Sequence, residues 1–459
     1  MIESTLVEAA KYMSGSLRGE NGSFRGVSTD TRSLRPGELF VALQGPNFDG
    51  TAFVQQAADL QAAGAVVCQE INVDLATIIV DDTRKALGEL GASWRKKLSA
   101  TVLGITGSNG KTTVKELLAS CLSFSADTLA THGNLNNEIG VPLMLLRMNA
   151  NHRFAVIEMG ANHPGEIAYL SSLASPDVVA ITNAAPAHLE GFRSVEGVAH
   201  AKGEILTSKH SPQSVILNAD DNYFDYWRSL ADGSEVISFG LNLDADVRAS
   251  GIKTTQDHAD FELHLPGAGF DISLPLAGKH NVLNACAAAA IAIALGIDTR
   301  QIKRGLETVR PIGGRLQNVQ NRSGAVLYDD SYNANPISVQ AAAQFLAAQE
   351  GERWFVLGDM AELGGDAELL HAHTGWVIRE AGIDHLFATG PLSRKTVESF
   401  GDGGRWFETV EALTDELQIL VSQGDTVLVK GSRSMGMESV VKALTNTEGV
   451  DIQDKMRSA

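Results

Sequence analysis

The sequence predicts an α/β protein of three domains, in which a central parallel-sheet domain lies between a small N-terminal α/β domain and a C-terminal Rossmann-like domain. Most of the chain alternates strand-like with helix-like segments, which is typical of a parallel sheet covered by helices on both faces. A glycine-rich turn links a strand to a helix near residue 107, and Pro311-Ile-Gly-Gly314 breaks the alternation as a domain boundary would. A chain of 459 residues is also too long for a single core.

The first predicted domain covers residues 1–83 and combines short strands with polar loops. Strands are expected over 37–43, 65–68 and 77–80, and a helix over 51–63. Polar residues flank the first of these strands in two loops: Ser28, Thr29, Asp30 and Arg32 before it, and Asn47 and Asp49 after it. Such loops often bind ligands because a rigid sheet positions them. Turn chemistry is the simpler interpretation, with Asp30 and Asp49 in Asx turns, and spacing alone favours it.

The central domain is predicted over residues 84–310 and the third domain over 311–459. In the central domain, strands near 101–106, 153–158, 177–182, 214–217 and 235–239 alternate with helices near 84–98, 112–122, 165–174, 195–208 and 280–295. Between 245 and 276 the period changes to that of antiparallel hairpins. In the third domain, strands at 325–329, 353–357, 384–388 and 426–430 alternate with helices at 337–347, 367–381, 394–400 and 435–445. No G-x-G-x-x-G follows its first strand, so a dinucleotide site is not predicted.

Composition narrows the class of function. The formal net charge of -18 disfavours a surface for nucleic acid or for an anionic membrane, and an acidic substrate would need a local group of cations. The most apolar run, the thirteen residues at 285–297, is shorter than the ~20 needed to span a bilayer, and no signal peptide is expected. Cys68, Cys121 and Cys286 lie far apart, which indicates neither a disulfide framework nor a metal cluster. We therefore expect a cytoplasmic protein.

The most specific motif is the turn after the apolar strand that ends at Thr106. Its residues are Gly107, Ser108, Asn109, Gly110, Lys111, Thr112 and Thr113. Glycines let backbone N–H groups approach an anion, and the following helix turns its positive dipole end toward that anion. Lys111 could then neutralise the β- and γ-phosphates of a nucleotide while the Thr112 hydroxyl ligates magnesium. The spacing, G-x-x-G-K-T, is shorter than the common phosphate loop, and a plain strand-to-helix turn with an exposed lysine is the alternative. The strand context favours a nucleotide triphosphate user.

Other polar residues follow neighbouring strands of the predicted central sheet. Glu158 closes one strand, too early to cap the next helix, and could hold a metal bound to the nucleotide. His188 follows the next strand; a lone loop histidine is usually a surface residue, but this one shares a sheet edge with Thr112 and Glu158. Lys202, taken alone, is a helix-surface lysine without a role.

Two further segments carry a high density of amides and carboxylates. Asn281 and Asn284 are three residues apart and lie on one helix face, beside small alanines that would let a ligand approach. An N-cap role for one asparagine and solvation of the other explain the pattern equally well. The segment Tyr-Asp-Asp-Ser-Tyr-Asn-Ala-Asn-Pro at 328–336 ends the first strand of the third domain with more polar groups than a turn requires.

These segments, taken together and in order, resemble the Mur ligases, the ATP-dependent amide-bond-forming enzymes of peptidoglycan synthesis. The resemblance rests on Gly-Ser-Asn-Gly-Lys-Thr-Thr (107–113), Glu158, Asn183 with His188, Lys202, Gly-Lys-His-Asn-Val-Leu-Asn (278–284), Gly-Gly-Arg315 and Asp-Asp-Ser-Tyr-Asn-Ala-Asn-Pro (329–336). Any one motif is weak, but their coincidence across all three domains is specific. The segments at 330–336, 357–364 and 429–438 are most similar to the member of the family that adds D-alanyl-D-alanine.

The resemblance implies a reaction and a set of small-molecule partners. ATP would phosphorylate the terminal carboxylate of UDP-N-acetylmuramoyl-tripeptide to an acyl phosphate, which the amine of D-alanyl-D-alanine would then attack. Lys111 would face the phosphates, and Thr112 with Glu158 would hold a bridging Mg²⁺. His188 would ligate a second Mg²⁺, and Lys202 would carry a carbamate derived from CO2 that also faces the metal. The enzyme is expected to be a monomer.

The resemblance also assigns the remaining binding residues. Asn281 and Asn284 would lie beside the adenine, while Arg315, Asp330 and Asn333 would reach the phosphates and ribose from the third domain. The uridine diphosphate part of the substrate would meet Ser28, Thr29, Asp30, Arg32, Asn47 and Asp49. The muramoyl and phosphate groups would meet the loop that carries Asn134, Asn136 and Asn137.

Functions of other classes stay open as alternatives. A small-molecule kinase would share the glycine loop but would not need His188, Lys202 or the third domain. A non-catalytic nucleotide-regulated binding module would bind ATP without amine-dependent release of phosphate. Within the family, the ligase that adds the third peptide residue and the folylpolyglutamate synthetases share the ATP site; the segments at 329–336 and 357–364 favour the D-alanyl-D-alanine enzyme.

Overall fold

The computed structural model describes residues 1–45, 48–207, 210–321 and 323–445, which form three α/β units in chain order. The first unit contains strands β1 (Glu3–Thr5), β2 (Ser16–Arg18), β3 (Ser23–Arg25), β4 (Val27–Ser28), β5 (Leu39–Val41), β6 (Gln44–Gly45), β7 (Phe48–Asp49), β8 (Gly64–Val67) and β9 (Thr77–Ile79), and helices α1 (Leu6–Tyr12), α2 (Val54–Asp59) and α3 (Thr83–Arg95). Its main sheet has the order β2-β9-β8-β5-β4, and only the β2–β9 pair is antiparallel.

The second unit is organised on a nine-stranded sheet. Its strands are β10 (Thr101–Thr106), β11 (Thr128–Ala130), β12 (Phe154–Glu158), β13 (Val178–Ile181), β14 (Ser214–Asn218), β15 (Glu235–Gly240), β16 (Val247–Thr254), β17 (Ala259–Leu265) and β18 (Ala268–Leu274). Its helices are α4 (Lys111–Ser123), α5 (Gly140–Arg147), α6 (Glu166–Ala174), α7 (Leu189–Phe192), α8 (Val195–Gly203), α9 (Phe224–Leu230), α10 (Lys279–Ala294) and α11 (Thr299–Glu307). The order β11-β12-β10-β13-β14-β15-β16 is parallel throughout, and β17 and β18 extend it as the predicted antiparallel hairpins.

The third unit is a six-stranded sheet covered by helices. Its strands are β19 (Gln317–Gln320), β20 (Val326–Asp330), β21 (Arg353–Gly358), β22 (His385–Thr389), β23 (Gly404–Phe407) and β24 (Thr426–Lys430), and its helices are α12 (Pro336–Ala347), α13 (Ala367–Glu380), α14 (Ser393–Phe400), α15 (Val410–Leu420) and α16 (Glu438–Leu444). The order is β19-β20-β24-β21-β22-β23, with only β19 antiparallel to its neighbour. The α/β class is thus confirmed.

Buried parallel strands explain why the central elements were predictable. β12, β13 and β14 are apolar along nearly their whole length because helices cover both faces of the sheet, and every residue of the three is buried. Helix α10 is buried over most of its length, and its alanines let it lie close against the sheet. Polar residues that interrupt these buried elements therefore stand out.

Two predicted helices are wrong in extent. The helix expected over 51–63 is a short 3-10 turn, Gly50–Phe53, followed by α2, which ends at Asp59. Asp49 caps the 3-10 turn by accepting a hydrogen bond from Thr51 N at 2.9 Å. The helix expected over 195–208 ends as α8 at Gly203, and residue 208 lies outside the described residues.

Helix α3 joins the first two units. Leu87 and Leu90 belong to the core of the first unit, while the same helix packs on α5 and α6 of the second. The boundaries proposed at residues 83 and 310 stay predictions. The three cysteines carry free thiols. Among the described residues, no helix has both the length and the apolar character to cross a membrane.

Candidate active site

The glycine loop between β10 and α4 adopts a backbone that only glycine tolerates. Gly110 caps α4 with a φ of +82°, and a Cβ there would lie 2.3 Å from Oδ1 of Asn284. A Cβ on Gly107 would lie 1.9 Å from Oγ1 of Thr182. Both contacts are closer than atoms can approach, so the loop depends on both glycines. The N-terminus of α4, whose first backbone N–H groups have no partner within the helix, faces a cavity between the second and third units.

Asn183, at the end of β13, holds the loop from the neighbouring strand. Its Oδ1 accepts a hydrogen bond from Asn109 N at 3.0 Å and its Nδ2 donates to Asn109 O at 3.1 Å. Its carbonyl accepts from Ser108 N at 3.0 Å, and Ala185 N donates to the Ser108 hydroxyl. The backbone of the loop is therefore fixed before any ligand binds.

Lys111 and Thr112 open α4 and point toward different partners. The Lys111 ammonium donates to the carbonyls of Gly107 and Ser108, and burial lowers the pKa of this lysine. The Thr112 hydroxyl donates to Oε2 of Glu158 at 2.8 Å. Thr113 is buried, and it also contributes to the lining of the cavity.

Glu158 sits at the end of β12, almost completely buried, with both carboxylate oxygens in hydrogen bonds. Besides Thr112, it accepts from Asn136 Nδ2 at 2.8 Å on Oε1. Asn136 comes from the loop that also carries Asn134 and Asn137, and all three line the cavity. Asn137 also contacts the first residue of α5, since its Oδ1 accepts from Gly140 N at 2.9 Å.

The third unit contributes a cation to the glycine loop. Arg315 donates from Nη2 to the Thr112 hydroxyl at 2.9 Å, and its guanidinium lies 4.3 Å from the centre of the Tyr332 ring. Arg315 is 203 positions from Thr112 in the chain. A positive side chain of the third unit thus meets the residue that begins the helix of the second.

Asp330 and Asn333 surround a buried lysine that the sequence did not single out. Lys430 Nζ, at the end of β24, donates to Oδ2 of Asp330 at 2.6 Å and to the carbonyl of Asn333 at 2.9 Å. Asp330 also accepts from Leu316 N at 3.2 Å. All three side chains line the cavity. The only sequence signal for Lys430 is its position at the end of an apolar strand, in the segment at 429–438.

Asn281 and Asn284 lie on one buried face of α10, as their spacing predicts. Asn281 Nδ2 donates to Ala277 O at 2.7 Å, and Asn284 Nδ2 donates to Oδ1 of Asn281 at 3.2 Å. The alternative, with one asparagine as N-cap and the other solvated, is wrong because Gly278 is the N-cap and both asparagines are buried.

His188 occupies a left-handed backbone position just before α7. Its φ is +55°, and its Nδ1 is hydrogen-bonded to the Glu362 carboxylate of the third unit. Burial lowers the pKa of the imidazole, and the charges of Lys111 and Lys202 act in the same direction, against the upward pull of Glu362. Burial and the two lysines therefore favour the uncharged ring.

Lys202 is buried in α8, and the expectation of a surface lysine from sequence alone is wrong. It is 2 % exposed, and its ammonium lies 5.3 Å from the centre of the Phe192 ring. Burial, reinforced by the charge of Lys111, lowers the pKa of Lys202 to about 7. A larger share of the amine is then unprotonated at neutral pH than the roughly one in two thousand of an ordinary lysine.

Among the described residues, the polar side chains predicted to bind substrate in the first unit do not line the cavity between the second and third units. Asp30 accepts from Arg32 N at 2.9 Å and forms an exposed ion pair with the Arg32 guanidinium at 2.6 Å. The Ser28 hydroxyl accepts from Asp30 N at 3.2 Å, and Thr29 is partly exposed beside it. Together with the Asp49 cap, these contacts match the Asx-turn interpretation. Asn47 lies outside the described residues.

A cavity of about 1040 Å³ lies between the central and third units and is lined by residues of both. Its lining includes residues from the glycine loop, from the ends of β12 and β13, from α10 and from the third unit: Lys111, Thr112, Glu158, Asn183, His188, Asn281, Asn284, Arg315, Asp330, Asn333 and Lys430. Lys202 lies outside this lining, next to the charge of Lys111. Cations, amides and carboxylates next to a helix N-terminus form a suitable setting for a polyphosphate with its metal.

Two oxygen donors beside the glycine loop suit magnesium. Among the described residues no group of three histidines, cysteines or acidic side chains could hold a metal ion. Mg²⁺ does not need such a cage, because it keeps several waters and commonly takes one or two carboxylates plus phosphate oxygens. The Thr112 hydroxyl and the Glu158 carboxylate, 2.8 Å apart, are hard oxygen donors that fit this requirement.

Comparison with known proteins gives consistent matches along the whole chain. Three family descriptions match in succession: "Mur ligase family, catalytic domain" at residues 23–95, "Mur ligase middle domain" at 105–292 and "Mur ligase, glutamate ligase domain" at 314–433. The UDP-N-acetylmuramoyl-tripeptide--D-alanyl-D-alanine ligase of Escherichia coli K12 is 43% identical over 447 residues, which are 97% of this chain and 99% of that protein.

Solved structures agree with this similarity. A crystal structure of MurF from Acinetobacter baumannii has 37% identity and a TM-score of 0.90, covering 97% of this chain and 99% of that one. The MurF ligase of Thermotoga maritima in complex with ADP has 27% identity and a TM-score of 0.79, covering 92% and 97% of the two chains. The three-domain arrangement is therefore common to this chain and these enzymes.

Proposed function

This chain belongs to the Mur ligase family, and we propose that it joins D-alanyl-D-alanine to UDP-N-acetylmuramoyl-tripeptide with the cleavage of ATP. The product is the UDP-linked pentapeptide precursor of peptidoglycan, and ADP and phosphate are released. The observation that carries the proposal is 43% identity, over 97% of the chain, to a ligase named for this reaction. A relative that binds ADP supports the use of the nucleotide.

The chemistry requires that a carboxylate first become electrophilic. One oxygen of the tripeptide carboxylate attacks the γ-phosphorus of ATP, so that ADP leaves and an acyl phosphate forms. The amine of D-alanyl-D-alanine then attacks the carbonyl carbon, and the tetrahedral intermediate expels phosphate as the amide forms. Because ATP and the carboxylate are both anions, the site must supply positive charge where they meet.

Lys111 and Arg315 are the cations that we assign to this task. Lys111 lies in the glycine loop beside the N-terminus of α4, where backbone N–H groups point at an anion. Arg315 approaches the same helix from the third domain through its 2.9 Å contact with Thr112. We propose that both side chains turn from protein oxygens to phosphate oxygens when ATP binds.

Thr112 and Glu158 would hold Mg²⁺, and His188 would hold a second ion. When bound, the metal would neutralise phosphate charge and orient the transferring group. The contribution of this chain is positional: Asn136 fixes one oxygen of Glu158, which leaves the other toward Thr112.

Lys202 would carry a carbamate. Carbamylation requires the unprotonated amine, and burial together with Lys111 lowers the pKa of Lys202 to about 7, which makes that form abundant. The modification would replace a buried positive charge by a negative one beside the cationic Lys111. This change of sign would turn the repulsion between the two lysines into an attraction.

The remaining assignments concern substrate binding. Asn281 and Asn284 would contact the adenine, and Asp330 and Asn333 the ribose and phosphates. Ser28, Thr29, Asp30, Arg32, Asn47 and Asp49 would bind the uridine diphosphate group, and Asn134, Asn136 and Asn137 the muramoyl side of the substrate. We also propose that the chain acts as a monomer, in the cytoplasm.

The proposal is tested with purified protein, ATP, Mg²⁺ and UDP-N-acetylmuramoyl-tripeptide, with D-alanyl-D-alanine supplied or withheld. We expect the UDP-linked pentapeptide by mass spectrometry and phosphate release only when the dipeptide is present. A phosphorylated tripeptide as the final product would instead identify a kinase. Tight ATP binding without turnover would identify a binding module. Activity with the shorter UDP-linked dipeptide and a free amino acid would identify the ligase of the preceding step.

A further inference from the structure

Two residues with left-handed backbone conformations meet between the second and third domains. His188, before α7, has a φ of +55°, and Glu362, in the loop after β21, has a φ of +60°. Neither is glycine, so each conformation has to be maintained by its surroundings. The Glu362 carboxylate is bonded to Nδ1 of His188, and the Glu362 carbonyl accepts from Glu190 N at 3.1 Å.

The loop that carries Glu362 is held rigidly from three directions. Met360 N donates to Nε2 of the buried His371 at 3.0 Å. Ala361 N donates to the Ser432 hydroxyl at 2.7 Å. The Asp359 carboxylate accepts from the backbone and hydroxyl of Ser393 at 2.7 and 2.6 Å. The position of Glu362 is therefore a property of the folded third domain rather than of a loose loop.

The chemistry of this pair determines which ring nitrogen of His188 is available. An ionised carboxylate only accepts hydrogen bonds, so the nitrogen that faces it, Nδ1, carries a proton. In the uncharged ring Nε2 then has the free lone pair, and His188 lines the cavity. A histidine that binds a metal usually has its other nitrogen bonded to a carboxylate or carbonyl in this way.

We infer that Glu362 is a positioning residue that fixes His188 in the tautomer with a free Nε2, and that it does so only while the third domain is docked. Glu362 touches neither substrate nor the reacting atoms in this scheme, since it acts through the ring. The docking of the third domain thereby completes a part of the site that lies in the second domain. This inference rests on the proposed function only where it concerns metal binding, because the tautomer of His188 can be measured on the protein without a ligand.

The tautomer is tested first, without nucleotide or metal. Protein labelled with ¹⁵N in its histidines is compared with the His188→Gln variant, which identifies the His188 signals by subtraction. We expect the wild-type ring to show a protonated Nδ1 and an unprotonated Nε2. Glu362→Ala should lose this preference, and so should Glu362→Gln, because a glutamine amide can donate an N–H to an unprotonated Nδ1 and no longer selects one tautomer. A wild-type ring protonated on Nε2 would overturn the inference.

The second measurement follows Mn²⁺ as a spectroscopic substitute for Mg²⁺, bound to the full chain with ADP. Loss of a residue that orients a metal-binding histidine typically weakens metal affinity about 10–100-fold, and we expect this for Glu362→Ala. Glu190→Gln is the matched control, since Glu190 is an exposed carboxylate at the same interface. Equal Mn²⁺ affinity in Glu362→Ala and Glu190→Gln would contradict the inference. Absence of ligase activity in the wild type would contradict the proposed function but would not affect the tautomer result.

Discussion

The side-chain amide of Asn335 donates a hydrogen bond to Oδ1 of Asn109 at 2.8 Å, so a residue of the third domain holds the glycine loop of the second. The same Asn335 caps α12, where its Oδ1 accepts from Ser338 N at 2.9 Å. One side chain therefore links the start of α12 to the nucleotide loop. Its two roles can be separated by mutation.

Replacement of Asn335 by serine should weaken ATP use without unfolding α12. Serine retains a capping oxygen but cannot reach Asn109. One hydrogen bond contributes about 0.5–1.5 kcal/mol, so we expect KM for ATP to rise roughly 2- to 12-fold. A double-mutant cycle with Asn109→Ala should show coupling of the same size. Ser338→Ala is the control, because it removes the contacts of the Ser338 hydroxyl with Asn335 but leaves the hydrogen bond between Asn335 and Asn109. If the effects of the two substitutions on KM are additive, Asn335 and Asn109 are not coupled, and this would contradict the proposed link between the glycine loop and the third domain.

Gly110→Ala tests whether the glycine loop needs its close approach to α10. A Cβ at this position would lie 2.3 Å from Oδ1 of Asn284, in addition to the cost of a φ of +82°. Gly165→Ala is a matched control, because Gly165 caps α6 at a φ of +88° and a Cβ there meets nothing within 4 Å. We expect calorimetry to show at least a tenfold loss of ATP affinity for Gly110→Ala only. Both variants should lose about 1–2 kcal/mol of stability from backbone strain.

Lys202→Ala should abolish turnover, and a short carboxylate added in solution should restore part of it. The alanine leaves a space where the proposed carbamate would stand. ¹³C NMR of the wild-type enzyme in ¹³C-bicarbonate should show a carbamate signal that is missing in Lys202→Ala. Full activity of the unrescued variant, or no difference between the two spectra, would reject the role of Lys202.

Because of His371, the free energy of unfolding should decrease as the pH falls. Its ring is completely buried, its Nε2 accepts from Met360 N, and burial lowers its pKa below the ordinary 6.5. The unfolded chain therefore binds the proton first as the pH falls, so the free energy of unfolding decreases below pH 6.5, by at most about 1.4 kcal/mol per pH unit. Denaturation between pH 5 and 7 should show a smaller slope in His371→Asn than in the wild type. The exposed His373→Asn, two residues along the same helix, should keep the wild-type slope.

The sequence predicted the fold where apolar strands are buried on both faces. β12 and β14 are recognisable from composition alone, since their burial leaves few polar positions. β11 is three residues long and only partly buried, so it has too little apolar character to be identified. The helix expected over 51–63 is interrupted because Asp49 caps a 3-10 turn at Gly50, which no hydrophobic period reveals.

The candidate site was predictable in its polar residues but not in their pairing. Glu158 ends β12 and Thr112 follows β10 across the glycine loop, so both were expected at one edge of the sheet, where their side chains meet at 2.8 Å. Contacts such as Asn335 with Asn109 join residues 226 positions apart and depend on how two domains dock. Lys202 illustrates the same limit, because burial of a helix lysine is decided by the elements packed around it.

The most direct test of the central claim follows an oxygen atom. UDP-N-acetylmuramoyl-tripeptide labelled with ¹⁸O in its terminal carboxylate is converted with ATP and D-alanyl-D-alanine, and the released phosphate is analysed by mass spectrometry. Attack of the carboxylate on the γ-phosphorus predicts one ¹⁸O atom in each phosphate. Phosphate free of the label would show that the carboxylate is never phosphorylated, and would contradict the account.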